Sequence, residues 1–416
     1  MDSFSLSRVL RRSRLPLRSA GNATPVPAES GSRGAKRSLS VPTEANRLPS
    51  WHRNGAESCP RSSRRASRLA RHLARRRGCY SAEMPSIDHD DFDLACEIMQ
   101  DATNFAVAAR RELPPEAIVQ KSDGSLVTSV DVALQVLILS RLEEIFGAVP
   151  AIAEEDLRSI GGHPAAEAHC LGLLREWGLA AGETLMERVL ASGGLDGPTG
   201  GVDYVWILDP IDGTQGFIDG DHWCPCLALL RRGEVVFAAN GHPTILGGML
   251  LSAAKGEGAF WFPLDGGEFI DAEVSQAPLT AGEPVRVVAP ARATPAQVRA
   301  RMSIGESTGH PCTLVHSDSQ AKYAHVIAGA ADVAFSRRGS GPGKYIWDHA
   351  GAILLAREAG AWVGDTDGGD IDLSLGRRLG ASNAVICAAR GLGPSIAHTL
   401  AQRDIAEGFA SARSAR

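Results

Sequence analysis

Two stretches with apolar residues at helical spacing predict the first helices of the folded part of the chain. The first covers residues 91–112, where alanine and aliphatic residues recur at helical intervals. The second runs from about Thr128 to Phe146, and Thr128 or Ser129 can cap its start. Asp131 therefore falls in the first turn of the second helix. The apolar face of that helix consists of Val130, Leu134, Leu137, Ile138, Leu142 and Ile145.

Short apolar runs separated by turn residues predict a largely antiparallel sheet in the next part of the chain. The turn at residues 231–233 joins two of these runs in a hairpin pattern. A helix is expected within residues 171–190. The predicted strands are 151–153, 204–208, 224–230, 234–239, 248–253 and 258–262.

Strands and helices alternate after residue 285, which indicates α/β layering. Asp318 or Ser317 is expected to cap one of these helices. The predicted strands are 285–288, 312–316, 331–335 and 383–388, and the predicted helices are 295–303, 318–328, 347–358 and 394–406.

The charge of the chain is divided between a basic N-terminal segment and an acidic remainder. Residues 1–83 contain 18 Lys and Arg against 5 Asp and Glu, whereas the remainder contains 25 against 43. The basic segment is rich in Arg and Ser and has no hydrophobic period, which is typical of disorder. We therefore predict a disordered basic extension at 1–83, an N-terminal α+β lobe with the metal site at 84–284, and a C-terminal α/β lobe with the substrate contacts at 285–416.

Three interpretations of residues 1–83 are open. Their Arg-rich, acid-poor composition fits a transit peptide for a mitochondrion or plastid, and their arginine clusters fit a nucleic-acid-binding tail. The third interpretation, a true start at Met84, is favoured because ordered-looking sequence begins just after it. No run of 18 apolar residues is present, so a membrane span is not expected. The expected location is the cytoplasm.

The eight cysteines are scattered along the chain. Only Cys224 and Cys226 are close, and they alternate with other residues as strand positions do. Because no C-x-x-C pair is present, the sequence supports neither a zinc site nor a disulfide framework. A reducing compartment fits this pattern.

One polar run, Asp209-Pro210-Ile211-Asp212-Gly213-Thr214, directly follows the apolar residues 205–208. Pro210 is expected to end the strand because it lacks an amide donor, and Gly213 allows a tight turn. Two carboxylates at a strand end can hold a hard cation such as Mg²⁺, and the amides of a helix starting there can bind an anion. For this run taken alone, a polar turn that caps a helix is the alternative.

Further acidic positions lie on both sides of this run, at Asp131, Glu154 and Asp348. In this order the motifs resemble the lithium-sensitive, magnesium-dependent phosphomonoesterases of the inositol monophosphatase superfamily. The signature of that superfamily is an Asp, a Glu-Glu pair, D-P-[IL]-D-G-[ST] and W-D-x-x-A. All four parts are present here, in order and at plausible spacing, although the alanine of the last motif stands one position early, at Ala350.

The resemblance implies a role for each of these residues and two or three Mg²⁺ ions per site. It implies that Asp131 and Thr214 orient and deprotonate the attacking water, and that the amides of Gly213 and Thr214 hold the phosphate. Glu155 and Asp156 are expected to be solvated neighbours. Independently of the resemblance, several carboxylates in one cleft would repel one another strongly without cations. The implied metal ligands are Glu154, Asp209, the Ile211 carbonyl, Asp212 and Asp348.

Two stretches are similar to the 3′(2′),5′-bisphosphate nucleotidase branch. Residues 209–220 resemble its D-P-I-D-G-T-K-G-F-x-x-G, and residues 318–323 resemble its S-Q-x-K-Y. The Ser and Lys of the second motif contact the nucleotide in that branch, which carries over to Ser319 and Lys322. The resemblance implies a five-layered α-β-α-β-α sandwich. It also implies a phosphatase that removes the 3′-phosphate of adenosine 3′,5′-bisphosphate to give AMP.

Departures from the branch pattern keep other substrates open. Gln215 replaces the usual Lys, no His is evident near residues 288–292, and Arg292 and Arg337 are candidates for replacing the missing contacts. The alternative substrates are an inositol phosphate or histidinol phosphate. The non-enzyme alternative is a pseudoenzyme or a nucleic-acid-binding protein, but the full set of acids argues against a dead site. The expected partner is a small phosphorylated molecule, with neither membrane nor nucleic acid expected.

Overall fold

The computed structural model describes residues 89–156, 158–179, 183–338 and 343–406. These ranges all lie in one compact unit of the chain, Ser81–Arg416. The basic extension predicted at residues 1–83 falls outside the described residues, and the division into domains stays a prediction. Among the helices of the described ranges, none combines the length and the apolar character that a membrane span requires.

The described part of the chain contains nine α-helices. Most agree with the predicted positions, but the single helix expected within 171–190 is two helices, because Gly178 takes a left-handed conformation (φ 73°) just after Trp177 and ends the first of them. The helices are α1 (His89–Arg110), α2 (Ser129–Phe146), α3 (Pro164–Glu176), α4 (Glu183–Ser192), α5 (Thr214–Asp219), α6 (Pro295–Thr308), α7 (Ala321–Ile327), α8 (Ala350–Glu358) and α9 (Gly393–Ala406).

Fourteen strands form a hairpin and two larger sheets within the described residues. The hairpin β1–β2 and the strands β9 and β13 were not predicted, since each is only two or three residues long. The strands are β1 (Ile118–Gln120), β2 (Leu126–Thr128), β3 (Ala151–Ala153), β4 (Val205–Asp212), β5 (Cys224–Arg231), β6 (Glu234–His242), β7 (Met249–Ala254), β8 (Ala259–Pro263), β9 (Ile270–Asp271), β10 (Val285–Ala289), β11 (Cys312–His316), β12 (Val333–Arg337), β13 (Trp362–Gly364) and β14 (Ala384–Ala388).

The seven-stranded sheet follows chain order, β3-β4-β5-β6-β7-β8-β9. Only β3 and β4 pair in parallel, and the predicted β5–β6 hairpin is confirmed. Its turn places Arg232 and Gly233 at positive φ, 51° and 83°, as a tight two-residue hairpin turn requires. The five-stranded sheet has the order β11-β10-β12-β14-β13 and is mixed, with β14 antiparallel to both of its neighbours.

The elements stack in five layers, which confirms the predicted α-β-α-β-α sandwich. Helices α1 and α2 pack on one face of the seven-stranded sheet, and α8 packs on its other face. Helices α7 and α8 also contact the five-stranded sheet, whose outer face is covered by α6 and α9. A large apolar cluster fills the space between the sheets, where Ile207, Tyr323 and Ile353 are at most 2% exposed. This packing fixes the C-terminal ends of β3 and β4 against the start of α8.

Candidate active site

Strand β4 carries two of the predicted site acids, and it does not end at Pro210 as predicted. The strand runs through to Asp212 with an irregularity, because Asp209 pairs with Cys226 and Asp212 with Cys224. Pro210 and Ile211 therefore lie opposite Pro225 alone, which is a β-bulge. Proline is tolerated at a bulge because no ladder hydrogen bond is required from it.

The bulge brings together side chains that a regular strand would separate. Residues three apart on a regular strand point to opposite faces, but the extra residue reverses this for Asp209 and Asp212. One carboxylate oxygen from each of them and one from Asp348 all lie within 4.8 Å of one another. Asp348 reaches the cluster from the turn that precedes α8.

Glu154 joins this cluster through the parallel pairing of β3 and β4. Ala153 pairs with Leu208, so Glu154, just after β3, and Asp209, within β4, lie side by side. Their carboxyl groups lie close enough to interact electrostatically. Of the five predicted metal ligands, four carboxylates thus meet at one sheet edge, and the Ile211 carbonyl lies in the bulge between two of them.

The chemistry of this cluster fits a hard cation. Burial, followed by the charges of the neighbouring carboxylates, raises the pKa of Asp209 well above its usual value. The pKa values of Asp212, Asp348 and Glu154 are raised as well, again chiefly by burial. Asp209 Oδ1 is buried and has no hydrogen-bond partner within the described ranges. Because a buried polar atom of a native site is expected to have a partner, this oxygen fits coordination to Mg²⁺.

Asp131 and Thr214 form a second pair beside the cluster. Asp131 lies in the first turn of α2, where Thr128 caps the helix as predicted and donates its amide hydrogen to Asp131 Oδ2 at 2.9 Å. Thr214 begins α5, and its hydroxyl donates to Asp131 Oδ1 at 3.1 Å. Burial and the nearby Glu155 raise the pKa of Asp131 to about 7. The structure therefore brings the two predicted catalytic residues into contact.

Glu155 is not the solvated neighbour that was expected. Its side chain is buried and pairs with Lys121 Nζ at 2.7 Å, while Gln135 binds both the amide and the carbonyl of Glu155. Burial and Glu154 raise the pKa of Glu155 to about 7. Lys121 Nζ also lies 3.4 Å from Glu154, so one cation bridges two acids at the rim of the cluster.

Gln320 is a site residue that sequence reasoning missed. Its amide hydrogen is donated to Asp212 Oδ2, and its side-chain amide donates to the Trp347 carbonyl at 2.8 Å, one residue before Asp348. Gln320 Oε1 accepts from Asn240 Nδ2 and the Ala352 amide. This buried side chain therefore fixes the distance between two predicted metal ligands.

The predicted cap of helix α7 is wrong. The helix starts after Gln320, and neither Ser317 nor Asp318 caps it. Asp318 instead accepts the amide hydrogen of Ala291, 3.1 Å away. Ser319 takes a left-handed conformation (φ 58°) at this point. A Cβ at Gly213 (φ 89°) would come within 2.9 Å of the Ser319 Cβ, so the loop before α7 packs directly against the polar run of β4.

A basic cavity of about 400 Å³ lies on the other side of this loop. Ser319 and Lys322, both predicted to bind substrate, line it. Lys322 Nζ donates to the Ser319 carbonyl at 2.7 Å. The other basic residues in the wall are Arg301, Arg337 and Lys344, and its apolar residues include Val288, Ala300 and Phe335.

The arginines of this cavity differ from the prediction. Arg292 is exposed, pairs with Asp219 and is not part of the wall. Arg337 does line the cavity, together with Arg301, which is 7% exposed and stacks 4.6 Å from the Phe335 ring. Burial and the charge of Arg337 lower the pKa of Arg301 to about 10. Arg301 lies mid-helix in α6 and belongs to no motif, so nothing in the sequence singled it out.

Stabilisation of the folded chain by a divalent cation should grow with pH. The folded chain holds Asp131 and Glu155 at pKa values of about 7, against about 4 in an unfolded chain. Between these two pKa values the folded state therefore binds more protons than the unfolded state. As pH rises through this range, the two carboxyls progressively lower the free energy of unfolding. We expect Mg²⁺ to raise the melting temperature more at about pH 8 than at about pH 5.5.

The control for this measurement is a monovalent salt at matched ionic strength. Buried histidines with lowered pKa values, such as His349, act in the opposite direction in part of the same range. Their contribution is common to samples with and without Mg²⁺ and cancels in the difference. A Mg²⁺ effect that is equal at both pH values would contradict the electrostatic description of the cluster.

Comparisons with known proteins agree with this geometry. A model described as "Inositol monophosphatase family" matches residues 91–407. The 3′(2′),5′-bisphosphate nucleotidase of Schizosaccharomyces pombe is 28% identical over 307 residues, which cover 68% of this chain and 85% of the relative. A 3′(2′),5′-bisphosphate nucleotidase 1 of Candida albicans (strain WO-1) is 30% identical over 297 residues, or 64% of this chain and 81% of the relative.

Solved structures show the same fold. An IMPase of Thermotoga maritima superposes with a TM-score of 0.52 at 18% identity, covering 77% of this chain and all of that one. An IMPase/NADP phosphatase, solved with NADP and Ca²⁺, has a TM-score of 0.51 at 18% identity and covers 74% of this chain and 94% of its own.

Proposed function

Because the chain belongs to the inositol monophosphatase family, we propose that it is a Mg²⁺-dependent phosphatase that removes the 3′-phosphate of adenosine 3′,5′-bisphosphate. The products are AMP and inorganic phosphate. Family membership makes the chain a phosphoric monoester hydrolase, and the relatives named 3′(2′),5′-bisphosphate nucleotidase support the substrate.

The basic cavity beside the acid cluster is the main structural support for this substrate. The loop that contains Ser319 separates the two, and Gln320 binds Asp212 on the cluster side. A bisphosphate nucleotide carries a second phosphate and a base in addition to the phosphate that is removed. Lys322 and its basic neighbours suit the second phosphate, and the apolar wall around Phe335 suits the base. An inositol monophosphate has neither group.

Glu154, Asp209, the Ile211 carbonyl, Asp212 and Asp348 would hold two or three Mg²⁺ ions. Bound divalent cations supply the Lewis acidity that phosphate ester hydrolysis requires. The unpartnered Asp209 Oδ1 and the raised pKa values of the cluster support this assignment.

The remaining steps belong to Asp131 and Thr214. The Thr214 hydroxyl donates to Asp131 Oδ1, so its oxygen lone pairs can accept a hydrogen bond from a water. Asp131 can take the proton that this water releases through the hydroxyl, and so act as a general base. The Gly213 and Thr214 amides are proposed to bind the phosphate.

The test is a substrate panel measured on the wild type and on Lys322→Ala. The panel compares phosphate release from adenosine 3′,5′-bisphosphate, inositol phosphate and histidinol phosphate. We expect the bisphosphate to be the best wild-type substrate. For Lys322→Ala we expect kcat/KM on that substrate to fall about ten- to a hundredfold, the scale of one charge-assisted hydrogen bond. Inositol phosphate hydrolysis should change much less, because it uses only the acid cluster.

Lys255→Ala is the matched control, since Lys255 is exposed, pairs with Glu234 and is not part of the cavity wall. It should leave all three activities unchanged. Equal losses on every substrate in Lys322→Ala would assign Lys322 to the shared chemistry or to the fold. Preference of the wild type for inositol or histidinol phosphate would replace the proposed substrate with that alternative.

The cytoplasm is the proposed location. All six cysteines of the described ranges are free thiols, which supports a reducing compartment. The mitochondrial or plastid alternative depends on residues 1–83, which lie outside the described residues.

A further inference from the structure

Two buried cysteines lie directly behind the acid cluster. Cys224 and Cys226 are the partners of Asp212 and Asp209 in the β4–β5 ladder. Both thiols are at most 3% exposed, both are free, and their sulfurs are 3.5 Å apart. Two residues apart on a strand, they point to the same face of the sheet. Their C-x-C spacing differs from the C-x-x-C spacing that is typical of zinc sites in sequences.

The positions of the sulfurs suit a tetrahedral thiophilic cation. One carboxylate oxygen of Asp212 and the two sulfurs all lie within 4.8 Å of one another. With a Zn–S distance of about 2.3 Å, two thiolates on one tetrahedral zinc ion are about 3.8 Å apart. The observed 3.5 Å differs from this by only a few tenths of an ångström, so the strand backbone already supplies the required separation.

His242 lies next to this three-ligand cluster but is not part of it. It ends β6, the strand next to β5. The imidazole is 1% exposed, and its Nδ1 has no hydrogen-bond partner among the described residues. The two thiols and the Asp212 carboxylate supply three ligands of the types that bind zinc.

We propose that Cys224, Cys226 and Asp212 form a binding site for a thiophilic divalent cation such as Zn²⁺, and that occupation of this site inhibits the phosphatase. Binding releases the thiol protons to solvent and changes no oxidation state. A cation held there engages Asp212 and places positive charge beside the remaining carboxylates. It therefore competes with the hard cations that Asp212 is proposed to hold.

The binding test uses the full chain with saturating Mg²⁺ and Co²⁺ as the spectroscopic probe. We expect a thiolate-to-cobalt charge-transfer absorption that saturates at one ion per chain and disappears when Zn²⁺ is added. Cys226→Ser should abolish this absorption and weaken Co²⁺ binding at least about tenfold. The matched control is Cys170→Ser, which removes a buried thiol that packs against Met186 on another part of the chain. It should keep the absorption.

The outcomes are decisive in either direction. A wild type without the absorption has no such site, whether or not the variant folds. Absorption that survives in Cys226→Ser and is lost in Cys170→Ser would place the thiol site elsewhere.

The inhibition test rests on the proposed function and is measured separately. Each protein's phosphate release with Zn²⁺ is compared with its own rate without Zn²⁺. Cys226→Ser should need at least about ten times more Zn²⁺ than the wild type for half inhibition. Equal sensitivity would overturn the competition. A chain that lacks phosphatase activity but shows the absorption would overturn the proposed function and leave the zinc site standing.

Discussion

Replacing Asp212 with Asn is expected to lower kcat/KM at least about a hundredfold, because the change removes one charged ligand from the proposed two-metal site. The fold should persist. An Asn oxygen can still accept the Gln320 amide hydrogen that Asp212 Oδ2 accepts. Turnover measured against Mg²⁺ concentration should show a higher midpoint as well as a lower plateau.

The same substitution should stabilise the chain in the absence of divalent cations. Asp212 is a half-buried carboxyl whose pKa is raised well above its usual value, chiefly by desolvation, so a neutral isostere relieves a cost of the folded state. A higher melting temperature in chelator combined with lost activity would be difficult to attribute to misfolding. Asp203→Asn is the control, because Asp203 is exposed and pairs with Arg232. If Asp212→Asn kept a near-normal rate and normal Mg²⁺ dependence, the metal assignment would be wrong.

Replacing Asp131 with Asn should lower kcat by about 10²–10⁴, the usual contribution of a general base. An Asn can keep one oxygen for the Thr128 amide, but its NH₂ group cannot accept the hydrogen bond from Thr214. Unlike Asp212→Asn, this variant should bind Mg²⁺ with little change. Its pH–rate profile should also lose the rise that the wild type shows as Asp131 deprotonates.

The hydroxyl partner provides a matched pair of variants. Thr214→Ser keeps the donor to Asp131, and Thr214→Val removes it at nearly constant volume. Activity should be largely retained in the first and lost in the second. If Asp131→Asn changed the Mg²⁺ midpoint and spared the rate at saturation, Asp131 would be a metal-site residue rather than the base.

Local pattern was sufficient to predict most of the elements. Helix α2 was predicted with its cap because its apolar face and Thr128 are both visible in one continuous stretch. The hairpin of β5 and β6 was predicted from its turn. The error at Pro210 has a nonlocal cause, since the bulge depends on Pro225 in the neighbouring strand. The second helix within 171–190 was missed because Gly178 was not recognised as a terminator.

The same contrast between local and nonlocal signals applies to the site residues. The acids were predicted because they stand in short motifs, although their assigned roles stay predictions. Lys121, Gln320 and Arg301 were missed because each acts through a contact distant in sequence. The position of Lys121 could have been noticed in the sequence. It is a basic residue in the turn between two short strands, and the site residues that it contacts are acidic. Gln320 stands in the S-Q-x-K-Y motif, but its role was missed because a buried amide network is visible only in three dimensions.

Because of the bulge in β4, the number of residues in the polar run 209–214 is more tightly constrained than their identities. Pro210 and Ile211 are both outside the ladder register, and the Ile211 carbonyl lies 3.3 Å from the Thr214 hydroxyl oxygen rather than opposite a β5 amide. Removal of one residue would restore a regular ladder, and two carboxylates two residues apart would still share a face. The Ile211 oxygen, however, would be consumed by strand pairing. Conservative substitutions in this run are therefore compatible with the backbone arrangement, whereas a one-residue deletion is not.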